Sequence, residues 1–106
     1  MERIKSELII ATKLLEKLDE LEGDELAGAE KLMISFLDAL AGEINIAHSV
    51  LGLQNFEEAG TKILEATERT RSREYLEATR RISEAISFIT TSGHRAMQIL
   101  KQKSLL

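Results

Sequence analysis

The fold class is decided by residues 26–51, which read LAGAEKLMISFLDALAGEINIAHSVL. Apolar side chains recur in this segment every three or four residues, and this spacing is typical of an α-helix. The main apolar stripe consists of Leu26, Ala29, Met33, Phe36, Leu40, Ile44, Ala47 and Leu51, and a neighbouring arc consists of Leu32, Ala39, Ile46 and Val50. A helix that is apolar around so much of its circumference is buried around most of it. We therefore expect this segment to be a central helix of a helical domain.

The helical spacing continues on both sides of this segment. It predicts four helices at roughly 3–22, 24–52, 55–70 and 73–104. Gly23 is expected to end the first helix, Asp24 to cap the second and Asn55 to cap the third. Short connections favour antiparallel neighbours, so we expect an all-α, four-helix bundle-like subunit that forms a single domain over residues 1–106.

The boundary between the third and fourth helices carries no Gly or Pro. The apolar stripe that resumes at Tyr75 is nevertheless rotated by about 100° from the preceding one. We place a break near Thr70–Ser72, with Ser72 as the cap of the fourth helix. A continuous helix that turns its apolar face to a different partner is the alternative.

Composition excludes several classes of function. The 106 residues contain no Cys, which rules out disulfides, thiol catalysis and Cys-ligated zinc. The N-terminal residues lack the apolar core of a signal peptide. Asp38 and Glu43 interrupt the apolar segment, and each would cost about 2.5–3.5 kcal/mol at the centre of a membrane. We therefore expect a cytoplasmic protein with no membrane partner.

No catalytic or cofactor-binding motif is present, so we expect a protein that is not an enzyme and that binds no metal or other cofactor. The sequence lacks the Glu-x-x-His, His-Glu-x-x-His and Gly-x-Ser-x-Gly patterns and the Gly-rich phosphate loop. Glu43 is the most unusual carboxylate, because it lies on the apolar side of the second helix. It is expected to form a buried polar site with His48 or a paired buried charge. A small enzyme with Glu43 and His48 at a subunit interface is the weakest functional alternative.

A cluster of arginines marks the end of the third helix and the start of the fourth. It consists of Arg69, Arg71, Arg73, Arg80 and Arg81. Guanidinium groups match phosphate oxygens, so binding of nucleic acid or of a phosphate-containing ligand is the second functional alternative. The net charge of −4 makes nucleic acid the less favoured partner, and a solvated face of ion pairs explains the cluster equally well.

A row of uncharged polar residues follows on the fourth helix. It consists of Ser83, Ser87, Thr90, Thr91, His94 and Gln98. Solvated helix faces are usually charged, so this row suits either close contact with another helix or a binding groove. The sequence leaves both interpretations open.

The unequal helix lengths predict a homodimer. Two short helices cannot cover two long ones of about 29 and 32 residues along their whole length. The side chains expected to remain uncovered in a single chain are Leu32, Ile46, Val50, Leu53, Phe88 and Ile99. A second copy would cover them, so we expect a non-enzymatic assembly or adaptor protein that dimerises and presents helical surface to a protein partner.

Overall fold

The computed structural model describes the backbone of residues 2–102 and the side chains of residues 2–91. Residues 2–102 form four helices and no strand: α1 (Glu2–Leu18), α2 (Gly23–Leu51), α3 (Gln54–Arg71) and α4 (Tyr75–Gln102). The prediction of an all-α chain with four helices is therefore confirmed. Residues 103 and 104, at the end of the predicted fourth helix, lie outside the described residues.

Each helix packs against two others. α1 and α3 both contact α2 and α4, and the molecule measures 55 × 19 × 17 Å along its principal axes. Arg3, early in α1, pairs with Glu43, late in α2, and Ile44 lies beside Gly60 in the first half of α3. α2 therefore runs antiparallel to both α1 and α3.

The core is built from one stripe of each helix. The residues of α1 that recur at intervals of four, three, four and three positions, the spacing of one helical stripe, are all buried: Ile4, Leu8, Ala11, Leu15 and Leu18. The other three helices contribute Leu26, Met33, Leu37, Leu40, Ile44, Phe56, Ala59, Ile63, Ala66, Tyr75, Ala78, Ile82, Ala85 and Ile89. Each large aliphatic or aromatic side chain in this set stabilises the fold by about 1.5–3 kcal/mol.

The turn between α1 and α2 differs from the prediction. α1 ends at Leu18, and the chain turns through hydrogen bonds from the Glu20 and Leu21 N–H groups to the Lys17 and Leu18 carbonyls, both 3.1 Å long. Leu21 then packs against the core from the turn, which is why the helix ends before it. Gly23 has a φ of +59° and begins α2 rather than ending α1.

Two predicted helix caps are wrong for the same reason. Asp24 lies inside the first turn of α2 rather than at the cap. Its negative charge interacts favourably with the helix dipole there. Asn55 likewise lies inside α3, which begins at Gln54 and is preceded by Leu53. In both cases the helix begins one or more residues earlier than the capping side chain suggests.

The break between α3 and α4 is real, and the continuous helix is wrong. Ser72 ends α3 instead of capping α4, and its N–H donates to the Glu68 carbonyl at 3.1 Å. Arg73 follows with a φ of +59°, and the Glu74 N–H donates to the Arg69 carbonyl at 2.8 Å. This left-handed residue reverses the chain without Gly or Pro.

The outer side of α2 is uncovered in the single chain, as the unequal helix lengths predict. Leu32, Ile46 and Val50 are 74%, 66% and 77% exposed, while only one stripe of α2 faces the core. α1 and α3 each cover one flank of the helix, and no other described element reaches the outer side. By length and composition alone, α2 is the one helix within residues 2–102 that is long and apolar enough to cross a membrane.

Candidate interaction surface

The uncovered side of α2 forms a continuous strip, which we call the α2 face. It consists of six exposed, uncharged residues: Leu32, Ser35, Ala39, Gly42, Ile46 and Val50. Their spacing of three or four residues keeps them on one side of the helix over a length of about 27 Å. An exposed, contiguous apolar strip of this kind is typical of an interaction surface.

The first part of the α2 face borders an apolar hollow, which we call the α1–α2 groove. Its volume is about 350 Å³, and its lining is Leu14, Lys17, Leu18, Leu21, Ala29, Leu32, Met33 and Phe36. Leu14 on α1 is 42% exposed, so the apolar surface continues from α2 onto its neighbour. The groove widens the strip at one end.

The size of the side chains changes along the α2 face. The branched side chains of Ile46 and Val50 project into solvent at the end of the face that is distant from the groove. The centre carries only Ala39 and Gly42, and a Cβ atom built on Gly42 would meet no atom within 4 Å. The face is therefore flat in the middle and raised at the end of Ile46 and Val50, and at the other end the exposed Leu32 side chain borders a hollow.

Glu43 and His48 lie on opposite flanks of α2. Glu43 Oε1 accepts a hydrogen bond of 3.2 Å from Arg3 Nη2, and its Oε2 is buried without a hydrogen-bond partner. His48 Nδ1 lies 3.1 Å from the carbonyl oxygen of Leu53, so this nitrogen donates. The structure therefore does not bring the two side chains of the predicted polar site together: Glu43 pairs with α1, and His48 holds the turn before α3.

A second hollow, of about 380 Å³, lies on the His48 flank. Its walls include Asn45, Phe56, Gly60 and Leu64, and Glu43 is not among its lining residues. The hollow thus contains an imidazole but not the carboxylate that the enzyme hypothesis would combine with it.

The five arginines of the cluster each contact a carboxylate. Arg69 lies 3.2 Å from Glu74, Arg71 lies 3.4 Å from Glu68, and Arg73 lies 3.4 Å from Glu30. The remaining contacts are Arg80 with Glu77 at 2.6 Å and Arg81 with Glu84 at 3.1 Å and Glu65 at 3.5 Å. A phosphate group would have to compete with these carboxylates for every guanidinium.

Lys62 extends this network across α3 and α4. Its Nζ lies 2.9 Å from Glu84 and 3.5 Å from Glu65. The hydrogen bond from Lys62 lowers the pKa of Glu84 below its ordinary value, and the charges of Lys62 and Arg81 act in the same direction. The network therefore joins the two helices through charged side chains at the surface.

Tyr75 makes a polar contact that the sequence did not predict. Its hydroxyl donates a 2.9 Å hydrogen bond to Oε2 of Glu30, which lies 45 positions earlier in the chain. Burial raises the pKa of Tyr75 to about 12, and the bond to Glu30 adds to this effect. No local pattern marks such a pair, because its members belong to different helices.

Three hydroxyl groups of the polar row of α4 form hydrogen bonds within the helix. Ser83, Ser87, Thr90 and Thr91 are exposed. The hydroxyls of Ser87, Thr90 and Thr91 donate to carbonyls four residues earlier, at 3.4, 2.9 and 3.1 Å. His94 and Gln98 lie outside the residues whose side chains are described.

In the described part of the chain, no group of three or more His, Asp or Glu side chains is placed to hold a metal ion.

Comparison with protein-family models, with curated proteins and with solved structures found no match to this chain.

Proposed function

We propose that this chain is a non-enzymatic helical assembly or adaptor protein that forms a homodimer through its α2 face. The observation that carries the proposal is the exposure of Leu32, Ile46 and Val50, at 74%, 66% and 77%, on one side of one helix. Single exposed apolar residues are ordinary, but an uncharged strip of them beside an apolar groove favours association.

Dimerisation through the α2 face requires the free energy gained by burying its side chains to outweigh the free-energy cost of association. Burying each of these three side chains contributes about 1.5–3 kcal/mol. A two-fold dimer buries each of them twice, and this gain is comparable to the roughly 4–15 kcal/mol that association costs in lost motion. The strip is therefore large enough to support a dimer, provided that the two surfaces fit closely.

A cytoplasmic location is part of the proposal, although α2 passes the length and composition test for a membrane span. The opposite side of α2 supplies Met33, Leu37, Leu40 and Ile44 to the core that it shares with the other helices. Crossing a membrane as a separate span would remove these side chains from that core. A second copy of the chain covers the outer side of α2 while these four side chains remain in the core.

The other two functions receive less support. Binding of nucleic acid or phosphate would require the arginine cluster to exchange its carboxylate partners. An enzyme built on Glu43 and His48 would require two side chains that lie on opposite flanks of α2 to act together. We therefore propose assembly as the function and keep these two as weaker alternatives.

Substitution of the α2 face tests the proposal. Leu32→Gln and Val50→Gln each keep a good helix former but remove an apolar contact, and we expect each to weaken dimerisation by at least about 100-fold. Leu76→Gln is the matched control, because Leu76 is 69% exposed on α4, beside Leu15 and Asp19 of α1. Sedimentation velocity would contradict the proposal if the control and the two α2 variants dissociated equally.

A further inference from the structure

We infer that the two copies meet with their α2 helices antiparallel, with the two-fold axis passing between Ala39 and Gly42. This inference rests on the proposed function, since it specifies the partner and the geometry of the same surface. Three features of the α2 face lead to it: the shape of its two ends, the position of its small residues, and the distribution of charge around it.

The shapes of the two ends of the α2 face require the α2 helices of the two copies to run in opposite directions. The α1–α2 groove lies beside Leu32 and Phe36, and the projecting side chains of Ile46 and Val50 lie at the other end. In an antiparallel pair, the projecting end of each copy enters the groove of the other. In a parallel pair, hollow would face hollow and projection would face projection.

The positions of Ala39 and Gly42 independently support the same alignment of the two α2 helices. Placing the partner's Ile46 and Val50 over the groove sets the two-fold axis near residues 40 and 41. Ala39 and Gly42 flank this point, and the space outside Gly42 is open in the single chain. Small side chains allow two helix axes to approach to about 8 Å, so the closest approach of the two helices falls where the face is flattest.

The charge distribution also favours the antiparallel pair. Residues 16–25, at the turn before α2, read EKLDELEGDE and contain six acidic residues and one lysine. A parallel pair would bring two such segments side by side, and adjacent like charges are costly at an interface. An antiparallel pair instead places the two acidic segments at opposite ends of the interface, so that they do not face each other.

Engineered disulfides test this geometry directly, because the chain contains no Cys and each introduced thiol is unique. We expect Ala39→Cys and Gly42→Cys each to form a covalent dimer with themselves on oxidation, since both lie close to the axis. Leu32→Cys and Val50→Cys should not cross-link to themselves, because identical residues are then at least about 25 Å apart. A mixture of these two variants, one of them enlarged by a tag, should form the mixed disulfide.

The control variant and the possible outcomes distinguish a failure of the antiparallel geometry from a failure of self-association. Leu76→Cys, on α4, should give no covalent dimer. Self-linking of Leu32→Cys and Val50→Cys without a mixed product would overturn the antiparallel geometry but leave self-association through the α2 face intact. A dimeric mass with no cross-link at any of the four α2 positions would overturn both the antiparallel geometry and the α2 face as the dimer interface. A monomeric mass with no cross-links would overturn self-association itself, and circular dichroism of each variant verifies the helical fold.

Discussion

Arg73 shows how a single residue sets the connection between two helices. Its φ of +59° lies in the left-handed region, which costs a residue with a Cβ about 1–2 kcal/mol. Helices usually end with Gly at such a position. The side chain of Arg73 offsets part of this cost, because its Nε lies 3.4 Å from a carboxylate oxygen of Glu30.

Replacing Arg73 should reveal the backbone strain. Arg73→Gly and Arg73→Ala both remove the ion pair with Glu30, but only glycine adopts the left-handed conformation without a steric cost. We expect the glycine variant to be more stable than the alanine variant by about 1 kcal/mol in urea unfolding. Equal stability of the two variants would show that the turn is not strained.

Tyr75 offers a direct spectroscopic test, since the chain contains one Tyr and no Trp. Its pKa in the folded chain is raised to about 12 by burial and by the hydrogen bond to Glu30. The folded pKa exceeds the unfolded value of about 10, so the resulting stability is complete below pH 10 and is lost as the pH rises towards 12. Tyrosinate absorbance should therefore titrate about two pH units higher in the folded chain than in urea.

The Tyr75→Phe variant isolates the hydroxyl group. It keeps the buried ring but removes the donor to Glu30, and we expect a loss of about 1–2 kcal/mol below pH 9. The same variant should lack the alkaline loss of stability that the wild type shows through ionisation of this residue. A wild-type titration midpoint near 10 would show that the hydroxyl is solvated and unpaired.

At the scale of the helices, the lengths and the placement of the neighbouring helices together explain which surfaces of α2 are covered. α2 has 29 residues, whereas its neighbours α1 and α3 have 17 and 18. At 1.5 Å per residue, a neighbour of about 26 Å cannot cover a helix of about 43 Å along its whole length. α1 covers one flank of α2 and α3 covers the other, so the outer side of α2 is left for another molecule.

Gly42 links the stability of α2 to association. Gly42→Ala places a methyl group in open space in the single chain and raises helix propensity, so the monomer should gain about 0.5–1 kcal/mol. The same methyl group lies at the proposed closest approach of two copies and should weaken the dimer. Gly28→Ala, also with open space, lies about 19 Å along the helix from the proposed closest approach and should stabilise the chain without this penalty. Tighter association of the Gly42 variant would contradict the close approach.

Periodicity identified the buried stripe of α1 and most of the covered side of α2. In α1, the buried residues recur every three or four positions, and Ile10 and Leu14, which widen the stripe, are 49% and 42% exposed. In α2, the predicted main stripe supplies Leu26, Met33, Leu40 and Ile44 to the core, whereas the neighbouring arc is exposed. The predicted stripe omits Leu37, which is fully buried. The width of the covered side depends on the positions of α1 and α3, and no local spacing records those positions.

Helix lengths predicted part of the candidate surface correctly. Leu32, Ile46 and Val50 are exposed as expected, but Leu53 and Phe88 are half-buried against the core. The turn at Gly52, with a φ of +64°, returns Leu53 to the core, and a sequence-based helix boundary does not specify that return. The expected exposure of Ile99 falls outside the residues whose side chains are described.

At the scale of the whole molecule, the chain combines an elongated shape with an exposed apolar strip along α2. A length of 55 Å against widths of 19 and 17 Å leaves much of the helical surface exposed relative to the enclosed core. The ion pairs of α3 and α4 cover their side with charge, whereas the α2 face carries none. This asymmetry predicts association through one side only, and therefore a closed dimer rather than an open chain of copies.

The most direct test of this account is the mass of the wild-type chain in solution, measured by sedimentation velocity across the micromolar concentration range. Self-association through the α2 face predicts a shift, as concentration rises, towards a species of twice the 11.9 kDa of one chain. The double variant Leu32→Gln/Val50→Gln should remain at 11.9 kDa with an unchanged helical circular dichroism spectrum. A wild-type mass of 11.9 kDa at every concentration would contradict the central claim.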